Sequence, residues 1–218
     1  MARGVLKSGT PSRIMVEVEL PDRAIERVLD GFPIVYPTTT LPALGCLPEA
    51  DALDRLFELK KRSGTKVVSL GVCDIEQAST LVEIPDCATE ILSDFPAGSL
   101  TLILPAIKTL DERLGGDWVA VRVLADARAR ELVSKTGPLT ATSANISGEE
   151  TVSDCMQAAA ILDLPNGDFI PGQCVGGAPS TLIRWNNSGD ASQDLDWTII
   201  REGKVSAGEI EQWSMQQT

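Results

Sequence analysis

The stretch WVAVRVLADARARELVSKTGPLTATSANISG, residues 118–148, decides the fold class. Its apolar run at 118–124 predicts a strand, 126–135 a helix, and 139–142 a second strand. A strand, a helix and a strand in succession are typical of an α/β sheet covered by helices. Ligands of such sheets tend to bind beyond the strand ends, where the loops converge.

The same alternation continues on both sides of this stretch. Further helices are predicted at 22–30, 49–61, 74–84 and 152–162, with a short one after Ser206. Further strands are predicted at 34–36, 66–72, 99–105, 180–185 and 197–200, and a polar loop at 186–196. The chain has no internal repeat and no long linker, so we expect residues 1–218 to form a single domain with short tails.

The composition of the 218 residues excludes several kinds of site. The chain has no histidine, which rules out histidine bases, Ser-His-Asp triads and histidine-ligated metals. Its five cysteines form no CxxC pair, so we expect no metal site and reduced thiols in a cytoplasmic protein. We also expect no membrane segment and no export signal. The net charge of −12 repels nucleic acid unless the 19 lysines and arginines are gathered in one place.

Two polar loops at strand or helix ends could bind a ligand. Thr38-Thr39-Thr40 follows the strand at 34–36 and forms either a hydroxyl-lined site or a turn that caps itself. Lys60-Lys61-Arg62, followed by Lys66, ends a helix. Cations there either stabilise the helix dipole or clamp phosphate, to which arginine offers a planar fork of donors.

Two later loops also carry short polar side chains. Thr142–Ala144 and Asn145 suit phosphate or ribose oxygens, or form an ordinary turn. Gly176-Gly177 before Ser180 allows close approach to a ligand, or a tight turn. Neither GxxxxGK[ST] nor GxGxxG is present, which argues against a Walker-type ATP site and a Rossmann domain. Arg122, inside an apolar strand, is aimed at an anion or lies at an exposed edge.

The order of these motifs resembles the YrdC/YciO family of threonylcarbamoyl-adenylate synthases. The family segments and their counterparts are Y-P-T-[DE]-T-x-Y-G-L-G at 36–45, K-x-R at 60–62, G-P-L-T at 98–101, A-V-R at 120–122, T-S-A-N-x-S-G at 142–148, P-S-T at 179–181 and R-E-G at 201–203. The resemblance covers about residues 24–206. It implies a YrdC-like twisted open mixed sheet flanked by helices.

The chain departs from the family pattern at several positions. Thr39 replaces the acidic residue of the first motif, and Pro42-Ala43 replaces its aromatic residue and glycine. Ser63 and Leu124 stand where the family usually has proline, and Gly71 where many members carry histidine. We therefore expect the first loop to have a different shape. This difference affects the expected specificity for threonine as the acceptor more than the expected binding of ATP.

The resemblance implies a nucleotidyltransferase that joins L-threonine, bicarbonate and ATP. Its products are threonylcarbamoyl-AMP and pyrophosphate, used for N6-threonylcarbamoyladenosine at position 37 of ANN-decoding tRNA. Two alternatives remain open. One is an RNA-binding paralogue without synthase activity, and the other is a related carbamoyl-nucleotide enzyme with another acceptor.

The resemblance also implies a role for each site residue. Lys60 and Arg62 would be catalytic and would bind the phosphates of ATP. The other ATP-binding residues would be Lys66, Ser143, Asn145 and Arg201. The threonine-binding residues would be Thr38, Thr40, Arg122 and Ser180. Mg²⁺ would arrive on ATP, and tRNA and downstream threonylcarbamoyl-transferase proteins are the further candidate partners.

Overall fold

The computed structural model describes residues 18–64, 66–186 and 197–216. Within these ranges the helices are α1 (Asp22–Leu29), α2 (Ala50–Leu59), α3 (Ile75–Ala78), α4 (Asp86–Asp94), α5 (Ala127–Thr136), α6 (Cys155–Ile161) and α7 (Ala207–Ser214), with a 3₁₀ turn at Glu112–Leu114. The strands are β1 (Ile34–Tyr36), β2 (Ala43–Gly45), β3 (Leu70–Val72), β4 (Leu100–Pro105), β5 (Trp118–Val123), β6 (Leu139–Thr140), β7 (Thr142–Ser143), β8 (Thr181–Trp185) and β9 (Trp197–Arg201).

The described strands form two sheets. The large sheet has the order β6-β3-β5-β4-β8-β9, in which β3 pairs with β5 and β4 with β8 in parallel. Its other pairs are antiparallel, so the sheet is mixed and open, as predicted. A small antiparallel sheet, β1-β2-β7, lies beside it. The small sheet was not predicted.

The alternation of residues along β4 and β5 separates the two faces of the large sheet. Leu102, Val119 and Val121 point into a large hydrophobic core cluster. Ile103 and Ala120 point to the opposite face, which borders a cavity. A shift of one residue in this register would put leucine and valine in the cavity and would bury the polar side chains.

A second core cluster surrounds α1, α5 and β1. Tyr36 on β1 is fully buried there, and its hydroxyl donates to the carbonyl oxygen of Thr140 at 2.9 Å. Because Thr140 belongs to β6, this bond ties the small sheet to the edge of the large one. Burial raises the pKa of the Tyr36 hydroxyl far above its ordinary value, so it stays protonated and can donate.

Three local predictions were wrong, and two elements were missed. The helix predicted at 74–84 ends at Ala78, because Ser79 and Thr80 bond back to the carbonyls of the preceding turn. The strand predicted at 66–72 begins only at Leu70, and the strand at 139–142 is split between β6 and β7 of different sheets. β2 and α4 were not predicted at all. Tertiary pairing, which short segments do not encode, decides the three cases that involve strands.

Other predictions concern the chain ends and loops. The helix expected after Ser206 is present as α7, and Ser206 forms a capping box with Glu209. The polar loop predicted at 186–196 lies outside the described residues, apart from Asn186. No helix in the described ranges is both long enough and apolar enough to cross a bilayer.

Asp168 anchors α1 to the chain beside β1. Its carboxylate is fully buried, 2.8 Å from Arg27 Nε, and its backbone carbonyl accepts from Val35 N. We expect Asp168→Asn to lower the free energy of unfolding by about 2 kcal/mol, because a partly buried arginine loses its counter-charge. Urea denaturation measures this.

The matched control for Asp168→Asn is Asp54→Asn. Asp54 pairs with Arg113 but its side chain is 71% exposed, so we expect a loss below about 1 kcal/mol. Equal losses in the two variants would contradict the anchoring role of Asp168.

Candidate active site

A cavity of about 650 Å³ lies between the open face of the large sheet and the small sheet. Its floor comes from β4, β5 and β8, and its walls come from residues 40–43, 67–69 and 141–143. This volume is typical of sites for small molecules. The strand ends and loops that the sequence singled out therefore meet around one cavity.

Among the described residues, the cavity is lined by four arginines and by no aspartate or glutamate. The arginines are Arg62, Arg122, Arg184 and Arg201. The chain as a whole carries a net charge of −12. The cavity is therefore lined by positive charge although the molecule is strongly negative. Such a field attracts an anion with several charges.

Arg122 lies on the cavity floor and is almost fully buried. Its Nε and Nη2 donate to the carbonyl oxygen of Gly98 at 2.9 and 2.7 Å, and Nη2 donates to Thr40 Oγ1 at 3.1 Å. Gly98 has a φ of +74°, which glycine adopts without strain. Burial lowers the pKa of Arg122, and no carboxylate among the described residues offsets its charge. The guanidinium of Arg122 is therefore fixed in place without a counter-charge, which suits it to bind an anion.

The threonine loop presents one hydroxyl to the cavity. Thr40 lines it, whereas Thr38 is buried behind it and donates to the carbonyl oxygen of Leu41 at 2.7 Å. Thr38 Oγ1 also accepts from Thr40 N at 3.2 Å. Thr38 thus shapes the loop, and its predicted contact with threonine stays a prediction.

The ammonium of Lys60 is directed at the loop after β7. Lys60 is 1% exposed, and Nζ donates to the carbonyl oxygens of Ser143 and Asn145, the latter at 2.7 Å, and to Asn145 Oδ1 at 3.3 Å. The backbone carbonyl of Lys60 also accepts from Ser147 N at 2.9 Å. All three ammonium protons are used, so Lys60 fixes this loop from beneath the cavity lining.

Ser143 and Asn145 form a bonded pair above Lys60. Ser143 lines the cavity, and its hydroxyl donates to Asn145 Oδ1 at 2.6 Å. Asn145 is buried, and Nδ2 donates to the carbonyl oxygen of Glu149 at 2.7 Å. Asn145 therefore orients Ser143, which is the member of the pair that reaches the cavity.

Arg62 and Lys66 are placed differently. Arg62 lines the cavity, and it donates to the backbone carbonyls of Lys66 at 3.0 Å and Val67 at 2.9 Å. Burial lowers the pKa of Arg62 below its ordinary value. Lys66 is exposed and does not line the cavity. Its predicted contact with phosphate stays a prediction.

Ser180 and Arg201 meet at the end of the sheet. Ser180 Oγ lies 2.7 Å from Thr101 Oγ1, and Arg201 Nη2 donates to the carbonyl oxygen of Ser180 at 2.9 Å. A Cβ atom on Gly203 would lie 2.2 Å from the carbonyl oxygen of Pro179. Glycine is therefore required at position 203, because the chain beyond β9 passes close to the backbone of Pro179 and Ser180.

The structure thus divides the ten predicted site residues into three groups. Those that line the cavity are Thr40, Arg62, Arg122, Ser143, Ser180 and Arg201. Those buried behind the lining are Thr38, Lys60 and Asn145. Lys66 lies outside both groups. Their roles toward ligands remain predictions.

Among the lining residues that were not predicted as site residues are Thr101, Trp118 and Arg184. The period of two along a strand could have found two of them. Trp118 lies four residues before Arg122 on β5, and Arg184 lies four residues after Ser180 along β8, hence on the same faces. Thr101 required the pairing of β4 with β8, which the sequence does not reveal.

Two departures from the family pattern are neighbours in space. A Cβ atom on Gly71 would lie 3.0 Å from Leu124 Cδ1. The larger side chain at 124 therefore occupies the space beside a residue without a side chain. The two substitutions compensate each other in packing, and neither residue lines the cavity.

Comparison with known proteins points to one family. The family model Sua5_yciO_yrdC, described as telomere recombination, matches residues 26–203. The threonylcarbamoyl-AMP synthase of Pseudoalteromonas translucida is 33% identical over 168 residues, which are 73% of this chain and 89% of that protein. The synthase of Pseudomonas fluorescens is 38% identical over 130 residues, covering 58% of this chain and 70% of that protein.

A solved structure has a similar fold. The crystal structure of P. abyssi Sua5 complexed with L-threonine superposes with a TM-score of 0.73 at 28% identity, over 87% of this chain. The matched part is 55% of the Sua5 chain. The present chain therefore spans about half the length of that protein.

The charge on Lys60 gives a test by pH. Burial, together with the nearby charge of Arg62, lowers the pKa of Lys60 to about 8. The ammonium is therefore present below this pH and lost above it. We expect the affinity for ATP to fall as the pH rises through about 8, because an uncharged Lys60 holds the loop that carries Ser143 less firmly. Isothermal titration at several pH values measures this.

Lys60→Met is the variant for this test, because it has a similar length and no charge. Its ATP affinity should be weaker at low pH and should lack the change near pH 8. The same pH dependence in this variant would assign the change to another group.

Proposed function

This chain belongs to the Sua5/YciO/YrdC family, and on that premise we propose that it is a threonylcarbamoyl-AMP synthase. It joins L-threonine, bicarbonate and ATP, and its product serves N6-threonylcarbamoyladenosine at position 37 of ANN-decoding tRNA in the cytoplasm. The observation that carries the proposal is a cavity in an acidic chain whose described lining residues include four arginines and no carboxylate. ATP and the carboxylate of threonine are the anions that such a cavity suits.

The reaction needs no nucleophile from the protein. The amine nitrogen of threonine bonds to the carbon of bicarbonate and water leaves, which gives a carbamate. A carbamate oxygen then bonds to the α-phosphorus of ATP. The bond from that phosphorus to the β-phosphate oxygen breaks, and its electron pair leaves with pyrophosphate. The chain contributes by positioning the reactants and by stabilising negative charge, which suits a protein without histidine.

The threonine end of the cavity is formed by Arg122, Thr40 and Ser180. Arg122 still faces the cavity while Gly98 and Thr40 fix its guanidinium. It pairs with the substrate carboxylate, which supplies the counter-charge it lacks among the described residues. The hydroxyls of Thr40 and Ser180 bind the remaining polar atoms of the amino acid.

The residues assigned to ATP are Arg62, Ser143 and Arg201, of which Arg201 also borders the threonine end because it contacts Ser180. Each lines the cavity and carries a donor suited to phosphate or ribose oxygens. Lys60 and Asn145 act through Ser143, because they hold its loop from behind. Lys66 adds charge outside the lining.

Mg²⁺ enters as part of the substrate, bound to the triphosphate. Among the described residues, the cavity lining offers hydroxyls and no carboxylate, and no cluster of three histidine, cysteine or acidic side chains is present. A hard cation on such a surface keeps phosphate and water as its ligands. The ion neutralises charge on the phosphates.

The activity is tested by following pyrophosphate release with ATP, Mg²⁺, bicarbonate and L-threonine. Release that depends on threonine is the expected result. Release that requires another amine would show that this amine, and not threonine, is the acceptor. Binding of tRNA that weakens with salt, without turnover, would indicate an RNA-binding protein instead.

Two variants test the ends of the cavity in the same assay. We expect Arg62→Ala and Arg122→Ala each to reduce kcat/KM by roughly tenfold or more, because each removes charge that stabilises the transition state. Arg122→Ala should act mainly on threonine and Arg62→Ala mainly on ATP.

The control variant is Lys61→Asn, which removes an exposed charge between two site residues. Lys61 has a φ of 48°, which asparagine tolerates. Its kcat/KM should stay within about twofold of the wild type. Unchanged activity in Arg62→Ala or Arg122→Ala would remove that arginine from its role.

A further inference from the structure

Trp118 and Arg184 form a pair at one end of the cavity. The guanidinium carbon of Arg184 lies 4.6 Å from the centroid of the Trp118 ring, and both side chains line the cavity. Arg184 is exposed, and among the described residues it forms no ion pair with a carboxylate. The ring fixes one face of the guanidinium and leaves its N–H edge free for an anion.

Strand register places this pair away from the proposed threonine end. Trp118 and Arg122 are four residues apart on β5, about 13 Å at roughly 3.3 Å per residue. Arg184 pairs with Ile103, which pairs with Ala120. Arg184 is therefore displaced along the sheet from Arg122, in the direction of Trp118.

Contacts along the wall bring Arg62 to the same end as Trp118. Arg62 Nη2 donates to the carbonyl oxygen of Val67 at 2.9 Å. Val67 Cγ1 lies 3.5 Å from the point where a Cβ on Gly115 would be, and Trp118 N donates to the carbonyl oxygen of Gly115 at 3.0 Å. Arg62, Val67, Gly115, Trp118 and Arg184 thus form one continuous wall.

The geometry of the displacement at phosphorus indicates which part of ATP binds at the Trp118 end of the cavity. In a displacement at phosphorus, the attacking and leaving oxygens lie roughly in line on opposite sides of the phosphorus. With the threonine carboxylate at Arg122, the carbamate attacks from that end. Pyrophosphate must then leave toward the opposite end.

We propose that Arg184, held over Trp118, binds the β- and γ-phosphates of ATP and receives the leaving pyrophosphate. Arg62 lies between this site and the α-phosphate. As the bond between the α-phosphorus and the β-phosphate oxygen breaks, negative charge grows on that oxygen, and the guanidinium stabilises it. The proposal rests on the proposed function, because that reaction defines which end receives the leaving group.

Isothermal titration with inorganic pyrophosphate, ATP, AMP and L-threonine tests the proposal. We expect Arg184→Gln to weaken binding of pyrophosphate and ATP by about tenfold, the loss of one charge-assisted contact. Binding of AMP and threonine should change less than about twofold, which also verifies that the variant is folded. Trp118→Leu should weaken pyrophosphate binding in the same selective way, since Arg184 loses its support.

The control is Arg130→Gln. Arg130 is exposed, donates to the carbonyl oxygen of Cys73 at 3.0 Å and does not line the cavity. It should leave all four affinities unchanged. An equal loss for AMP and ATP in Arg184→Gln would overturn the proposal by placing Arg184 at the nucleoside. Unchanged pyrophosphate binding, or no pyrophosphate binding by the wild type, would overturn it as well.

These titrations separate the failure of this proposal from failure of the proposed function. Selective loss of pyrophosphate binding in Arg184→Gln, without threonine-dependent turnover of the wild type, would support the pyrophosphate site and refute the synthase. Threonine-dependent turnover with unchanged pyrophosphate binding in Arg184→Gln would do the reverse.

Discussion

The site depends on one constraint, which is the burial of the Arg122 guanidinium on the floor of the cavity. A charge out of water is costly unless polar groups surround it. Here the carbonyl oxygen of Gly98 accepts two of its N–H groups and Thr40 accepts another. The local chain follows from this need, because Gly98 takes a left-handed conformation and Thr38 braces Thr40. We propose that an anionic substrate corrects the remaining imbalance of charge.

Lys60 is a second buried cation, and it is satisfied in another way. Its ammonium donates to three oxygen atoms of Ser143 and Asn145, so its charge is directed into the protein rather than into the cavity. The K-x-R motif thus separates two tasks. Lys60 fixes the loop that carries Ser143, while Arg62, two residues later, reaches the cavity. This division explains how neighbouring cations at one helix end serve both structure and binding.

The acidic surface and the basic cavity also belong together. With a net charge of −12, most of the surface repels anions, and the four arginines of the cavity oppose that field locally. A small anion is therefore drawn to one place. The departures from the family pattern do not alter this arrangement, since Gly71 and Leu124 compensate each other away from the cavity. Pro42 and Ala43, in contrast, do line it, next to Thr40. They alter the wall beside Thr40, where we propose that the amino acid binds.

By itself, the sequence determined the mixed α/β class, the family and most of the polar residues that line the cavity. It could do so because alternation along strands and the order of short motifs are local properties of the chain. Only the tertiary structure decided that Thr38, Lys60 and Asn145 lie behind the lining, that Lys66 lies outside it, and that Trp118 and Arg184 meet. It also decided the small sheet and the split of 139–142 between two sheets. Such facts depend on which strands pair and in what register, and this is fixed by contacts between residues far apart in the chain.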